Sequence, residues 1–259
     1  MLTRDYINYY SASDTLAEIL AMGNTIAFFD ASDLSTIDLN NGNVSKLKSK
    51  KGIYFFEQTE AAKQPNYDNI NKNIRFDTSS KVLSSPNMLG ITNNINKITV
   101  IAACSYPSTN GWHLLLYIST GGGTTATRIA IDQGQLGSAS SVQKQLLARR
   151  IDTDSTVTLN SGMVSTAKTI QSVSIDYTQN TGSIYIDGAL KASTNNLFGS
   201  GAGNVSSTNS NYVLLGQNNT GNYPFSGNFL GMAIGFYTDK ERSDIEKYFS
   251  KSYGIPLLG

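Results

Sequence analysis

The chain of 259 residues is poor in the side chains from which most metal sites, disulfide frameworks and charged interfaces are built. It holds one cysteine and one histidine, which leaves no intrachain disulfide and no Cys/His zinc cluster. Cys104 lies in the apolar run ITVIAACSY and reads as a buried thiol rather than a nucleophile. Charged residues make up only 15% of the chain and sum to a net charge of +1. The clustered Lys and Arg that a phosphate backbone demands are therefore missing, and nucleic acid is not an expected partner. The basic run from Lys46 to Lys51 and the pair Arg149 with Arg150 read as solvated loops. No stretch reaches the roughly 18 to 20 apolar residues of a membrane-crossing helix. The opening MLTRDYINYYSASD also lacks the apolar centre of a secretion signal. The expectation is a protein made in the cytoplasm and not inserted into a membrane.

Catalytic sets are equally scarce. A glycoside hydrolase needs two carboxylates projecting into one groove, yet the only glutamates are Glu18, Glu57, Glu60, Glu241 and Glu246, scattered through helical segments and a loop edge. Asp152 and Asp154 alternate onto one side, but their segment RRIDTDST reads as an exposed turn. The single histidine, His113, lies between Trp112 and the run LLLY, with no nucleophile elbow anywhere in the chain. A non-enzyme is expected, with hydrolysis by the Asp152/Asp154 pair as a lesser alternative.

What the chain does contain is β-structure. From Ile26 onward, short apolar runs such as IAFFD, GIYFFE, WHLLLYIS, TRIAID and NFLGMAIGFY are separated by Gly, Asn, Ser and Pro, without the helical insertions of a βαβ protein. In IQSVSIDYTQNTGSIYIDGALKAS, Val173, Ile175 and Tyr177 alternate onto one face. Gln179 to Gly182 make a turn, and Ile184 and Ile186 resume the alternation. Asp187 with Gly188 then reverses the chain again.

A helix is expected near each end. Thr15 and Glu18 form a capping box for the first, with Leu16, Ile19 and Leu20 on one face and Gly23 as its stop. Thr238 and Glu241 do the same for the second, with Ile245, Tyr248 and Phe249 sharing a face and Gly254 then Pro256 ending it. The chain divides on this reading into a helical segment, 1–24, and one β-sandwich domain, 25–259.

Four blocks carry a resemblance: FFDASDLSTIDLNNGNVSKLKSKKG, the pair QPNY and NIRFDTSSKVL, VSIDYTQNTGSIYIDGAL, and VLLGQNNTGNYPFSGNFLGMAIGFYTDKERSDIEKYFSKSYGI. Together they resemble the concanavalin A-like lectin/glucanase superfamily, and within it the laminin G-like domains of bacterial surface proteins and bacteriophage structural proteins. The resemblance spans about Ile26 to Ile255 and implies an antiparallel jelly-roll β-sandwich. Its glycines and Asp187 determine shape before anything else. It leaves calcium open as a cofactor, with Asp30, Asp33, Asp77 and Asp187 as loop oxygen donors of no diagnostic spacing. Where such closing blocks often carry a carboxylate, this chain reads Met232 to Gly235.

Sugars are held by aromatic faces with amide and hydroxyl hydrogen bonds, and both are plentiful here. The candidate ligand contacts are Trp112, Tyr106, Asn218, Asn219, Asn222 and Tyr223, the last four in the polar loop GQNNTGNYPF. The same neutral surface suits burial against another protein. The expected function is a virion structural protein, a tail, fibre or capsid-decorating component, whose partners are other virion proteins or copies of itself and whose lectin-like domain binds host glycans. The alternative is a bacterial extracellular or cell-surface carbohydrate-binding protein or module.

Overall fold

Alternating apolar residues can bury only one face of a strand, so a chain of such strands closes by stacking two sheets. The computed structural model describes residues 12–77, 80–108, 111–121, 127–134, 142–151, 154–199 and 209–258, with side chains from residue 16 onward. Among these, a helix α1 (Ala12–Ala21) precedes seventeen strands, numbered in chain order, and a helix α2 (Asp239–Tyr253) follows them.

The first sheet runs, in spatial order, β1 (Thr25–Asp30), β17 (Asn228–Gly235), β8 (Lys97–Ser105), β13 (Thr169–Asp176), β14 (Thr181–Ile186) and β15 (Ala189–Thr194), every pair antiparallel. The second runs β12 (Val157–Asn160), β11 (Gln143–Ala148), β10 (Thr127–Gly134), β9 (His113–Ser119), β16 (Tyr212–Leu215), β7 (Leu83–Ser84), β4 (Phe55–Glu57), β3 (Asn43–Lys48) and β2 (Ile37–Asn40). A hairpin of β5 (Asn66–Asp68) and β6 (Asn73–Arg75) joins β3 of one sheet to β17 of the other. This is the expected antiparallel β-sandwich with a helix at each end of the described chain.

Between the sheets, Val100, Ala102 and Cys104 of β8 and Val173 and Ile175 of β13 share one core with Leu116, Ile118, Ile129, Ile131 and Leu146 of the facing sheet. Each such aliphatic side chain contributes about 1.5–3 kcal/mol on burial. The outer face of the first sheet is covered by α2, whose Ile245 and Phe249 pack on Phe28, Ile101, Leu230 and Ala233. Polar groups anchor that helix. Asp30 accepts hydrogen bonds from Tyr248 (3.0 Å), Tyr253 (2.7 Å) and Lys50 (2.9 Å), and Glu246 accepts from Ser172 (2.6 Å) and pairs with Arg242. The capping box of Thr238 with Glu241 and the left-handed cap at Gly254 stand where the sequence places them.

Two local expectations shift. Helix α1 (Ala12–Ala21) already includes Thr15, so Thr15 lies inside the helix and is not its cap. The turn between β13 and β14 is Tyr177 to Asn180 rather than Gln179 to Gly182. Asn180 adopts a left-handed φ of 57° there, and its side chain accepts the Phe198 amide at 2.7 Å, which fixes the register early. Helix α1 is docked: Ile19 is fully buried among α2 and Phe28, and Asn24 Nδ2 donates to Glu241 at 3.0 Å.

Candidate functional site

The outer face of the second sheet is apolar in a place where alternation alone would put water. Along β10, Ile129 and Ile131 point into the core, so Ala130 and Asp132 point out. Ala130 joins Leu114 and Tyr117 of β9, Leu147 of β11, Leu214 of β16 and Val82 in a small cluster on which Tyr223 packs. A register shift where β9 meets β10 lets both Leu115 and Leu116 turn inward while Leu114 and Tyr117 stay on the outer face.

Trp112 and Tyr223 form one edge of this face. Their ring centroids are 4.1 Å apart with the planes inclined at 51°, and both side chains are half-buried. The indole lies on Gly134: a Cβ at that position would stand 2.7 Å from Trp112 Cδ1, so only glycine admits the ring. Tyr223 is held at φ 62°, a left-handed conformation unusual for a non-glycine residue. Its carbonyl accepts the Leu114 amide at 3.1 Å, and His113 Nδ1 meets the Pro224 carbonyl at 3.2 Å, pinning the loop to β9.

The asparagines of that loop do different things. Asn219 Oδ1 accepts the Tyr117 hydroxyl at 3.3 Å on the apolar face itself. Asn218 is buried, its Oδ1 accepting from the Thr220 amide and hydroxyl while its Nδ2 has no partner. Asn222 is exposed and donates to Thr220 Oγ1 at 3.0 Å. Tyr106 is not on this face. It is 1% exposed, stands edge-on to Phe225 in the core, and donates its hydroxyl to Gln171 at 3.1 Å, so a ligand on the outer face does not reach it.

Asp132, which sequence reasoning passed over, is the polar centre of the face. It is 1% exposed, lines a small void with Trp112, Leu114, Tyr117, Thr127, Ala130, Leu147 and Tyr223, and its Oδ1 has no hydrogen-bond partner. Burial with nothing to offset it pushes the carboxyl well above the usual range, so its charged form lacks a partner in the fold. The signal that finds it is the parity of TRIAID, which puts an acid on the face opposite two core isoleucines.

The loop aspartates do not gather into a cation site. Both oxygens of Asp30 are taken by Ser32, Lys50, Tyr248 and Tyr253. Asp33 caps a short 3-10 turn and pairs with Lys50, Asp77 accepts from Asn66, and Asp187 accepts the Ile170 amide. Among the described residues no group of three or more His, Cys, Asp or Glu stands close enough to share a metal ion. Of the Asp152/Asp154 pair, Asp152 lies outside the described residues, and Asp154 is paired with Arg150 at 3.2 Å.

No protein-family model matches the sequence, and no curated protein matches it. Solved structures do match the fold. Trypanosoma rangeli sialidase in complex with 2,3-difluoro-KDN aligns with a TM-score of 0.60 at 12% identity, over 90% of this chain and 33% of that one. The chain thus spans about a third of the sialidase's length. Domain 4 of AbnA, an extracellular arabinanase of Geobacillus stearothermophilus, solved with arabinotriose, aligns at 0.52 and 12% identity over 86% of this chain and 98% of that domain. The ligand-binding domain of botulinum neurotoxin serotype D, solved with N-acetylneuraminic acid, aligns at 0.53 and 10% identity, over 90% of this chain and 52% of that one. The chain has a lectin-like β-sandwich fold.

Proposed function

We propose that this chain is a non-enzymatic carbohydrate-binding domain that takes a sugar on the outer face of its second sheet, against Trp112 and Tyr223. The observation that carries the proposal is the aromatic pair itself: an indole packed on Gly134 and a tyrosine ring tilted against it, both half-exposed, beside amide groups and a buried acid. Aromatic faces receive the C–H side of a pyranose, while amides and hydroxyls orient it. Structures that share the fold were solved with arabinotriose and with N-acetylneuraminic acid, which supports the reading. They favour a carbohydrate-binding module over a virion component; a tail, fibre or decorating role rests on the sequence resemblance alone.

The test is a titration of the purified chain with a broad panel of oligosaccharides, reading binding by calorimetry and by the fluorescence of Trp112. Saturable binding that Trp112→Ala weakens by about five- to ten-fold is expected, as loss of an aromatic contact worth roughly 1–1.5 kcal/mol gives. A folded protein that binds no glycan on the panel overturns the proposal.

A further inference from the structure

We infer that the void beneath Trp112 and Tyr223 receives a primary ammonium group, so that the preferred glycan carries a free amine, as a glucosamine-type sugar does. The inference rests on the sugar-binding reading above and narrows it. Its first support is Asp132. The fold satisfies its other buried carboxylates from within: Asp30 has Lys50 and two tyrosines, Glu246 has Arg242 and Ser172, and Asp187 has the Ile170 amide. Asp132 alone of these buried acids is left with an oxygen that nothing donates to, and it is aimed into a void rather than into packed side chains. An acid kept in apolar surroundings without a donor marks a place where a donor arrives from outside.

The second support is size and lining. The void has room for about one water-sized group, and an ammonium group is close to water in volume, whereas an acetamido or carboxyl group is several times larger. Three aromatic rings line it, those of Trp112, Tyr117 and Tyr223. Rings beside a carboxylate supply the two attractions that recognise a cation, cation–π contact and a charge-assisted hydrogen bond. Arg149, a buried cation on the same sheet, is bonded to Thr120 beyond the far end of β9 and does not line the void. A sugar whose charge is a carboxylate brings no cation to offset the burial of Asp132, so the inference separates this chain from neighbours solved with sialic acids.

The experiment compares three oligosaccharides of equal length, one of glucosamine, one of N-acetylglucosamine and one of glucose, on the wild-type chain and on Asp132→Asn. The glucosamine oligomer is expected to bind about ten-fold or more tightly than the other two, with the preference abolished by Asp132→Asn. Equal affinity for all three, or a preference that survives Asp132→Asn, overturns the inference while leaving the sugar-binding reading intact. No binding of any oligosaccharide overturns both. The wild-type comparison needs no variant, so the test stands even where Asp132→Asn folds poorly.

Discussion

A single methyl group added at Gly134 should dislodge the indole of Trp112 and leave the rest of the face in place. The Cβ of an alanine there comes 2.7 Å from Trp112 Cδ1 and 3.1 Å from both Cγ and Nε1. Non-bonded carbons rest at roughly 3.5–4.0 Å, so the ring must retreat by about 1 Å. The nearest atoms include Cγ, next to the backbone end of the side chain, and rotation of the ring about its own bond does not clear the clash. Either the indole stays and the overpacking costs about 1–3 kcal/mol, or it leaves Tyr223 for solvent. The strand at Gly134 pairs regularly with Gln143 and needs no left-handed backbone, so alanine brings no strain of its own. Trp112 is the only tryptophan in the chain, and its emission therefore reports on this site alone. Gly134→Ala should red-shift that emission, lower the response to bound sugar as Trp112→Ala does, and reduce unfolding free energy in urea by no more than about 3 kcal/mol. Unchanged emission together with unchanged sugar binding would refute the stacked geometry and the role given to it.

Other outcomes follow from the buried charges. Asp30→Ala should cost about 3 kcal/mol at neutral pH, since it removes the buried acceptor of Tyr248, Tyr253 and Lys50, of which Lys50 keeps Asp33 and Tyr253 keeps the Leu230 carbonyl. Burial opposes the charge on Asp30, but hydrogen bonds from Ser32 and Tyr253 and the charge of Lys50 prevail and hold its carboxyl below 3.8. Its contribution is therefore present above about pH 4 and lost as acid protonates it, so urea curves of wild type and variant should converge below that pH. Lys144 lies in the core over the Tyr106 ring at 4.1 Å with no hydrogen bond to its amine, and burial pushes it down to about 8. Between pH 8 and 10.5 the unfolded chain holds a proton that the folded one has released, so stability rises with pH across that window. Lys144→Met should be more stable than wild type at pH 7 by about 2–3 kcal/mol and lose that rise, as urea titrations at both ends of the window will show. Burial pushes the Cys104 thiol up to about 11, so it should resist a thiol reagent in the native protein and react at once in denaturant.

The parts of the fold that the sequence makes legible are those decided within a few residues. Thr238, Glu241 and Gly254 bound α2 because capping is a contact between neighbours, and the β13–β14–β15 meander follows from alternation and two turns. The candidate site is legible only in pieces. Trp112 and Tyr223 stand out singly as aromatic residues in polar surroundings, but their stacking depends on a loop 111 residues away being pinned to β9 through His113 and Pro224. Tyr106, six residues before Trp112, reads the same in sequence and is separated from it by the sheet. The parity of TRIAID places Asp132 on the outer face, but the ring that covers Gly134 and the void beside Asp132 arise from residues distant in sequence, which no local pattern shows.

The anchoring of α2 on Asp30 bears on how the protein emerges from the ribosome. The carboxylate stands near the start of the described chain, and the tyrosines that cover it follow 218 and 223 residues later. Strand β1 likewise waits for β17 as its partner. Strand β1 is thus made well before the neighbour that completes it. Contacts of such long separation are formed slowly, and the nascent sandwich must keep the unpaired edge of β1 from other chains until β17 pairs with it, and the outer face of that sheet until α2 covers it.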